Sequence, residues 1–169
     1  MAARPDAAFI FADLVGFTSY TEREGDEAAA DLATTFCEVI CDLNRGHEAK
    51  DVKMIGDACL IRAPDPLAGI DLGLHIVERI GPERGFPRVR VGIDAGPAAE
   101  RAGDWFGSTV NMAARVVALA PESSVLITER TRLAARHSPG VEFEDRGPSV
   151  LRGVPEPVRL YIAKRNSNA

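Results

Sequence analysis

At 169 residues, with 46% hydrophobic and 27% charged side chains, the chain has the composition of a globular protein and the length to bury one core. Its net charge of −5, with no basic block, argues against nucleic acid or an anionic membrane as the main partner. No apolar run reaches the ~20 residues of a membrane-spanning helix and no basic-then-apolar leader opens the chain, so one cytoplasmic domain over residues 1–169, core about 7–164, is expected, with no membrane insertion.

The first element is the apolar run Ala7–Leu14, whose lack of alternation predicts a strand buried on both faces. Asp13 closes it beside the Gly16 turn, a position that suits either a metal ligand or a helix cap. Leu32, Phe36, Val39, Ile40 and Leu43, at spacings of three and four, then predict a helix over Asp26–Arg45, capped by Asp26 and stopped by Gly46. Two short apolar strands at 52–55 and 58–61 follow, joined by Gly56-Asp57, a turn signal. Lys53 is anomalous there: an ammonium in an apolar strand must reach water, a partner charge or a ligand.

Asp65 as N-cap and Pro66 as first residue open a second helix that buries Leu67, Ile70, Leu74, Val77 and Ile80 and ends at Gly81-Pro82. Residues 88–95 alternate charged and apolar, the period of a half-buried strand; after the Gly96-Pro97 turn, 98–103 reads as a returning hairpin arm. Ser108 or Thr109 caps a further helix with Val110, Ala113, Ala114 and Val117 on its core face. Asn111 and Arg115 fall one turn apart at the edge of that face, a pairing that suits an anionic ligand as well as a solvated surface. The rest reads as strand (124–127), short helix (128–136), strand (141–144), a Pro/Gly-rich turn region (147–157) holding Arg152, and a last strand (158–163). Cys37, Cys41 and Cys59 read as small core residues in a reducing compartment, and His47, His75 and His137 stand far apart with no ligand pattern.

This succession predicts an α/β (α+β) sandwich with a ferredoxin-like β-α-β-β-α-β core, a mixed sheet covered by helices on one side, and additional C-terminal strands and a helix. In that core the strands carrying Asp13 and Asp57 are neighbours, so the carboxylates converge. Two hard oxygen ligands suit Mg²⁺ or Mn²⁺. Walker, Rossmann, zinc-protease and serine-hydrolase signatures are absent.

Three motifs, Phe11-Ala-Asp-Leu-Val-Gly-Phe-Thr18, Lys53-Met-Ile-Gly-Asp57 and Gly103-Asp-Trp-Phe-Gly-Ser-Thr-Val-Asn-Met-Ala-Ala-Arg115, resemble those of class III nucleotidyl cyclase catalytic domains, as does the closing Leu151-Arg-Gly-Val-Pro-Glu-Pro-Val158. The resemblance implies that Asp13 and Asp57 bind two ions per site, Mg²⁺ or Mn²⁺. It also implies that the backbone of Leu14, Gly16, Phe17 and Thr18 wraps the triphosphate, with Leu14 on a metal. Lys53 and Asp104 match the adenine-selecting pair, where guanylate-specific members carry Glu and Cys, and Asn111 and Arg115 match the transition-state pair. The family's shared sites imply a homodimer in which an adenylate cyclase turns ATP into 3′,5′-cyclic AMP for signalling. Alternatives are a regulatory domain without turnover, whose usual loss of a metal Asp or the Arg is not seen, and a guanylate cyclase. A diguanylate cyclase is disfavoured because its Gly-Gly-(Asp/Glu)-Glu-Phe hairpin is missing. Asp94, where the family more often has a neutral residue or histidine, and Arg152, for a commoner lysine, are departures.

Overall fold

A computed structural model describes residues 6–167. The chain opens with β1 (Ala7–Leu14), α1 (Phe17–Glu24) and α2 (Asp26–Arg45), then forms the hairpin of β2 (Lys50–Ile55) and β3 (Ala58–Ala63). α3 (Pro66–Arg79), β4 (Val89–Gly96), β5 (Ala99–Arg101), β6 (Asp104–Phe106) and α4 (Ser108–Leu119) follow. The chain ends with β7 (Val125–Thr128), α5 (Glu129–Ala134), β8 (Val141–Ser149) and β9 (Val158–Arg165).

β1 pairs antiparallel with both β3 and β4, and every residue of it except Asp13 is buried. The order β2-β3-β1-β4 is the expected ferredoxin-like core, which β7, β9 and β8 extend to a seven-stranded sheet. Only the β4–β7 pair is parallel, so the sheet is mixed as expected.

The expectation of helices on one side is corrected. α2 and α3 cover one face, where Phe36, Ile40, Ile70 and Ile76 pack with Ile10, Ala12, Ile61 and Ile93. α4 covers the other, with Val110, Ala113 and Val117 against Phe9, Phe11 and Leu60. A central strand as apolar as β1 needs cover on both faces, because either face left wet would expose large side chains.

Local chemistry explains most boundaries. The Asp65 carboxylate accepts the Ala68 N–H at 2.8 Å with Pro66 in the first turn, the expected cap of α3. Leu67, expected on the buried face, is instead exposed. α2 takes Gly25 as its N-cap rather than Asp26, whose carboxylate sits in the first turn and still favours the helix dipole. Gly107, not Ser108 or Thr109, caps α4; the Thr109 hydroxyl is buried and donates to the Pro97 carbonyl at 2.7 Å. Ala114, expected in the core, is exposed. α1 carries no apolar stripe and was not expected.

β4 is not half-buried as its alternation suggests: all its residues except Arg90 are buried. Gly92 lies so close under α4 that a Cβ there would stand 2.3 Å from the Val117 nitrogen. The next hairpin also departs, since β5 pairs with β6 in a separate two-stranded ribbon rather than returning along β4.

Asp94, fully buried in β4, accepts from Arg130 Nε at 2.8 Å and from the Thr128 hydroxyl at 2.6 Å, and also pairs with Arg130 Nη2. The unusual carboxylate thus comes with its own partners. Arg130→Ala is expected to cost roughly 2–3 kcal/mol, below the 3–5 typical of a broken buried pair because half of the Arg130 side chain is solvated. Urea melts check this, and the apolar exchange Asp94→Val with Arg130→Leu should recover most of the loss.

Two further expectations change. Of the cysteines only Cys59 is buried; Cys37 and Cys41 are half-exposed, and all three are free thiols. Cys41 donates to Asp51 at 2.5 Å, and that bond to a carboxylate, aided by partial burial, pushes its thiol up to about 11. The histidines are not all apart, because the α2–α3 packing brings His47 to 2.7 Å from His75.

Candidate active site

Asp13 and Asp57 meet at one end of β1. The register that sets Asp13 opposite Ala58 puts the Gly56-Asp57 turn beside it, and Gly56 takes the positive φ of 63° that this turn needs. The two carboxyls lie within hydrogen-bonding reach. Burial first, and then the Asp13 carboxyl, hold Asp57 above the ordinary carboxylate range. Arg90, opposite Asp13 across the β1–β4 ladder, donates to one Asp13 oxygen through Nε at 2.9 Å and Nη2 at 2.8 Å and to the Ala118 carbonyl through Nη1 at 3.2 Å. One guanidinium against two converging carboxylates leaves the cluster under-neutralised. That donor set fits a hard divalent cation.

The cluster makes a stability prediction. Because the fold raises the Asp57 pKa, the folded chain holds that proton more tightly than the unfolded chain, and ionising Asp57 at neutral pH opposes folding. Asp57→Asn is expected to raise the melting temperature in EDTA by about 2–4 °C at neutral pH. The gain should shrink as pH falls through the raised folded-state value and vanish below the ordinary carboxylate value. Thermal melts across that range check it.

On the same face, towards the N-terminal end of α4, lies a groove of about 460 Å³ lined by Phe11, Lys53, Ile55, Leu60, Trp105, Phe106, Gly107, Val110, Asn111 and Ala114. Lys53 Nζ and Asp104 Oδ2 form an ion pair of 2.7 Å across it, from β2 and β6. The Trp105 N–H fixes the other Asp104 oxygen at 2.8 Å. Lys53, followed by that N–H, holds the Asp104 carboxyl below the ordinary range. Lys53 also lies 5.9 Å from the Phe106 ring centre.

Arg115 projects from α4 one turn beyond Asn111, its Nη1 3.1 Å from the Asn111 carbonyl. Its Nε donates to the backbone carbonyl of Arg152, and a Cβ on Gly153 would stand 3.2 Å from Nη2. The contribution of position 152 is therefore a backbone one, with its side chain exposed. Gly16, in a left-handed turn, caps α1, so the amides of Phe17 and Thr18 face outward from a helix N-terminus close after Asp13.

The structure thus brings together Asp13 with Asp57, Lys53 with Asp104, and Asn111 with Arg115. Among the described residues no hydrogen bond or ion pair links the first set to the other two. Arg90 was missed in the sequence, where it looked like the polar phase of an alternating strand; the β1–β4 register that makes it Asp13's partner would have found it.

A seven-stranded mixed sheet with an acidic pair at one strand end and a polar-lipped groove beside it narrows the class to nucleotide-handling enzymes that use metal. The sequence profile of the adenylate and guanylate cyclase catalytic domain matches residues 1–165, and the chain belongs to that family. It is 39% identical over 160 residues to a pH-sensitive adenylate cyclase of Mycobacterium tuberculosis, covering 93% of this chain and 40% of the relative. To an adenylate cyclase of Streptomyces griseus it is 35% identical over 151 residues, covering 89% and 38%. The chain spans about two fifths of the length of these relatives. An adenylyl cyclase of P. aeruginosa superposes with a TM-score of 0.83 at 20% identity, covering 97% of this chain and 96% of that one. An adenylate cyclase structure from Trypanosoma brucei superposes at 0.82 with 25% identity, covering 95% and 91%. Among the described residues no helix is long and apolar enough to cross a membrane.

Proposed function

We propose that this chain is an adenylate cyclase that turns ATP into 3′,5′-cyclic AMP and pyrophosphate in the cytoplasm, with two active sites shared across a homodimer. The observation that carries the substrate is the Lys53–Asp104 pair of 2.7 Å at the lip of an apolar groove. It presents a donor and an acceptor side by side, the complement of the ring nitrogen and exocyclic amine of adenine.

Adenine stacks into the groove between Phe11, Leu60 and Val110, Lys53 donates to a ring nitrogen, and Asp104 accepts from the amine. Asn111 orients the ribose, and Arg115 meets the negative charge that grows on the α-phosphorus. The Phe17 and Thr18 amides at the start of α1, the turn from Leu14 to Gly16, and Arg90 take phosphate oxygens. Asp13 and Asp57, with the Leu14 carbonyl, would hold two Mg²⁺ or Mn²⁺ ions, which supply charge neutralisation and a lowered pKa for the 3′-hydroxyl. The 3′-oxygen loses its proton and bonds to the α-phosphorus as the bond to the β-phosphate oxygen breaks.

Sharing across a dimer is supported by the separation of the acidic pair from the Lys53–Asp104 and Asn111–Arg115 sets. It is supported too by Ile55, Phe106 and Leu119, apolar side chains left half-exposed around the α4 face, where a second copy would cover them. Product analysis of the purified chain with ATP or GTP and Mn²⁺ tests the proposal. Cyclic AMP with little cyclic GMP is expected; preference for GTP overturns the substrate, and no product from either overturns the enzyme.

A further inference from the structure

On the face of the sheet opposite the groove, three side chains form a cluster that the cyclase reading does not use. His47 follows the end of α2, and Asp71 and His75 lie one turn apart on α3. His47 Nε2 is 3.0 Å from Asp71 Oδ2 and 2.7 Å from His75 Nδ1, and His75 Nδ1 is 3.7 Å from the same Asp71 oxygen. All three ligand atoms fall within 4.8 Å of one another.

Proton accounting makes the cluster more than a hydrogen-bonded patch. His47 Nδ1 is 2.9 Å from the Leu43 carbonyl, which can only accept, so the single proton of a neutral His47 belongs on Nδ1. Its Nε2 therefore turns a lone pair towards Asp71 and His75. The His75 proton can fill the contact with His47, but the His47–Asp71 contact is then two lone pairs facing each other at 3.0 Å. A cation shared by the three atoms satisfies every contact at once. Behind them, Arg165 donates to the other Asp71 oxygen at 2.7 Å and to Glu78 at 2.9 Å, so the carboxylate is oriented from its far side. An outer hydrogen bond on the histidine and another on the carboxylate are the usual supports of metal ligands.

We infer that His47, Asp71 and His75 form a second metal site, specific for a zinc-class dication, that clips the end of α2 to α3. Two imidazoles and one carboxylate match zinc, which takes nitrogen at about 2.0–2.1 Å and leaves a fourth position for water, and they suit Mg²⁺ or Ca²⁺ poorly. The His47 side chain keeps 11% of its surface exposed, while His75 and Asp71 keep 39% and 40%, so an ion can enter from solvent without unfolding. The clip would brace the turn from α2 into β2, the strand that carries Lys53. The inference does not depend on cyclase activity.

Its test is zinc stoichiometry on tag-free, metal-stripped chain by equilibrium dialysis, with Co²⁺ absorption as a second readout. Wild type and Asp57→Asn are expected to retain one zinc that His47→Gln/His75→Gln lacks, and only the first two should show the visible Co²⁺ band of a low-symmetry nitrogen–oxygen site. Zinc at a hundredfold excess over its Kd should raise the wild-type melting temperature by roughly 5–10 °C and leave the double variant unmoved. Coincident melts in EDTA establish that the double variant is folded; should it not be, His75→Gln alone, at a half-exposed position, carries the same comparison. Equal zinc content in wild type and the histidine variant overturns the inference, as does a wild type that binds none. Loss of the zinc in Asp57→Asn assigns it to the catalytic cluster instead and overturns the inference equally.

Discussion

Mixing chains that carry Asp57→Asn with chains that carry Arg115→Ala is expected to restore cyclic AMP formation that neither variant supports alone. Each variant by itself should lose on the order of 10³-fold or more in kcat, one through the metal cluster and the other through charge left unmatched at the transferring phosphorus. In a homodimer with shared sites, the mixed dimer holds one site with both defects and one with none. Random mixing of equal amounts makes half the dimers mixed, so recovery approaches about one quarter of wild-type activity. The geometry motivates this outcome: Arg115 is tied back to the carbonyls of Asn111 and Arg152, while Asp13 and Asp57 gather around Arg90 with no bond between the two sets. Differently tagged chains that co-purify but regain no activity would show that each site lies within one chain. Full wild-type activity at dilutions where size exclusion finds only monomer would count equally against sharing.

The elements legible in the sequence were those whose determinants are local. β1 is an unbroken apolar run, α2 a stripe at helical spacing, and the start of α3 an Asp-Pro cap, and each was found to within a residue or so. What escaped depends on partners far along the chain. Arg90 looks solvated until the β1–β4 register sets it against Asp13, and Asp94 looks like the polar phase of an edge strand until Arg130 and Thr128 reach it. His47 and His75 are separated by 28 residues and meet only because α2 packs on α3. The ribbon of β5 and β6 is three residues a side, too short for period-2 patterning, yet it carries Asp104 to Lys53. The candidate site was legible beyond the fold's own patterns because the three motifs resemble those of a family. From spacing alone, Lys53 remained an awkward lysine and Asn111 with Arg115 an edge pair on a helix.

The Lys53→Glu/Asp104→Cys double variant is expected to move the preference of the enzyme from ATP towards GTP, lowering the ATP-to-GTP ratio of kcat/KM by about 10² or more. The argument begins with the free chain, where Lys53 and Asp104 satisfy each other at 2.7 Å and the Trp105 N–H pins the carboxylate. Adenine offers an acceptor and a donor to match that edge. Guanine offers the reverse, so its carbonyl would face the Asp104 carboxylate and its ring N–H the Lys53 ammonium, leaving both charges unpaired as the groove closes. Replacing the ammonium with a carboxylate and the carboxylate with a thiol inverts the pattern. Either single change alone removes one half of the pair and is expected to lower turnover of both nucleotides without reversing preference. Lys53→Glu alone also sets two carboxylates against each other across the groove. Competition assays with both nucleotides at equal concentration measure the ratio directly. A double variant that loses activity while keeping the wild-type ratio would mean that Lys53 and Asp104 hold the walls of the groove together and that the base is read elsewhere.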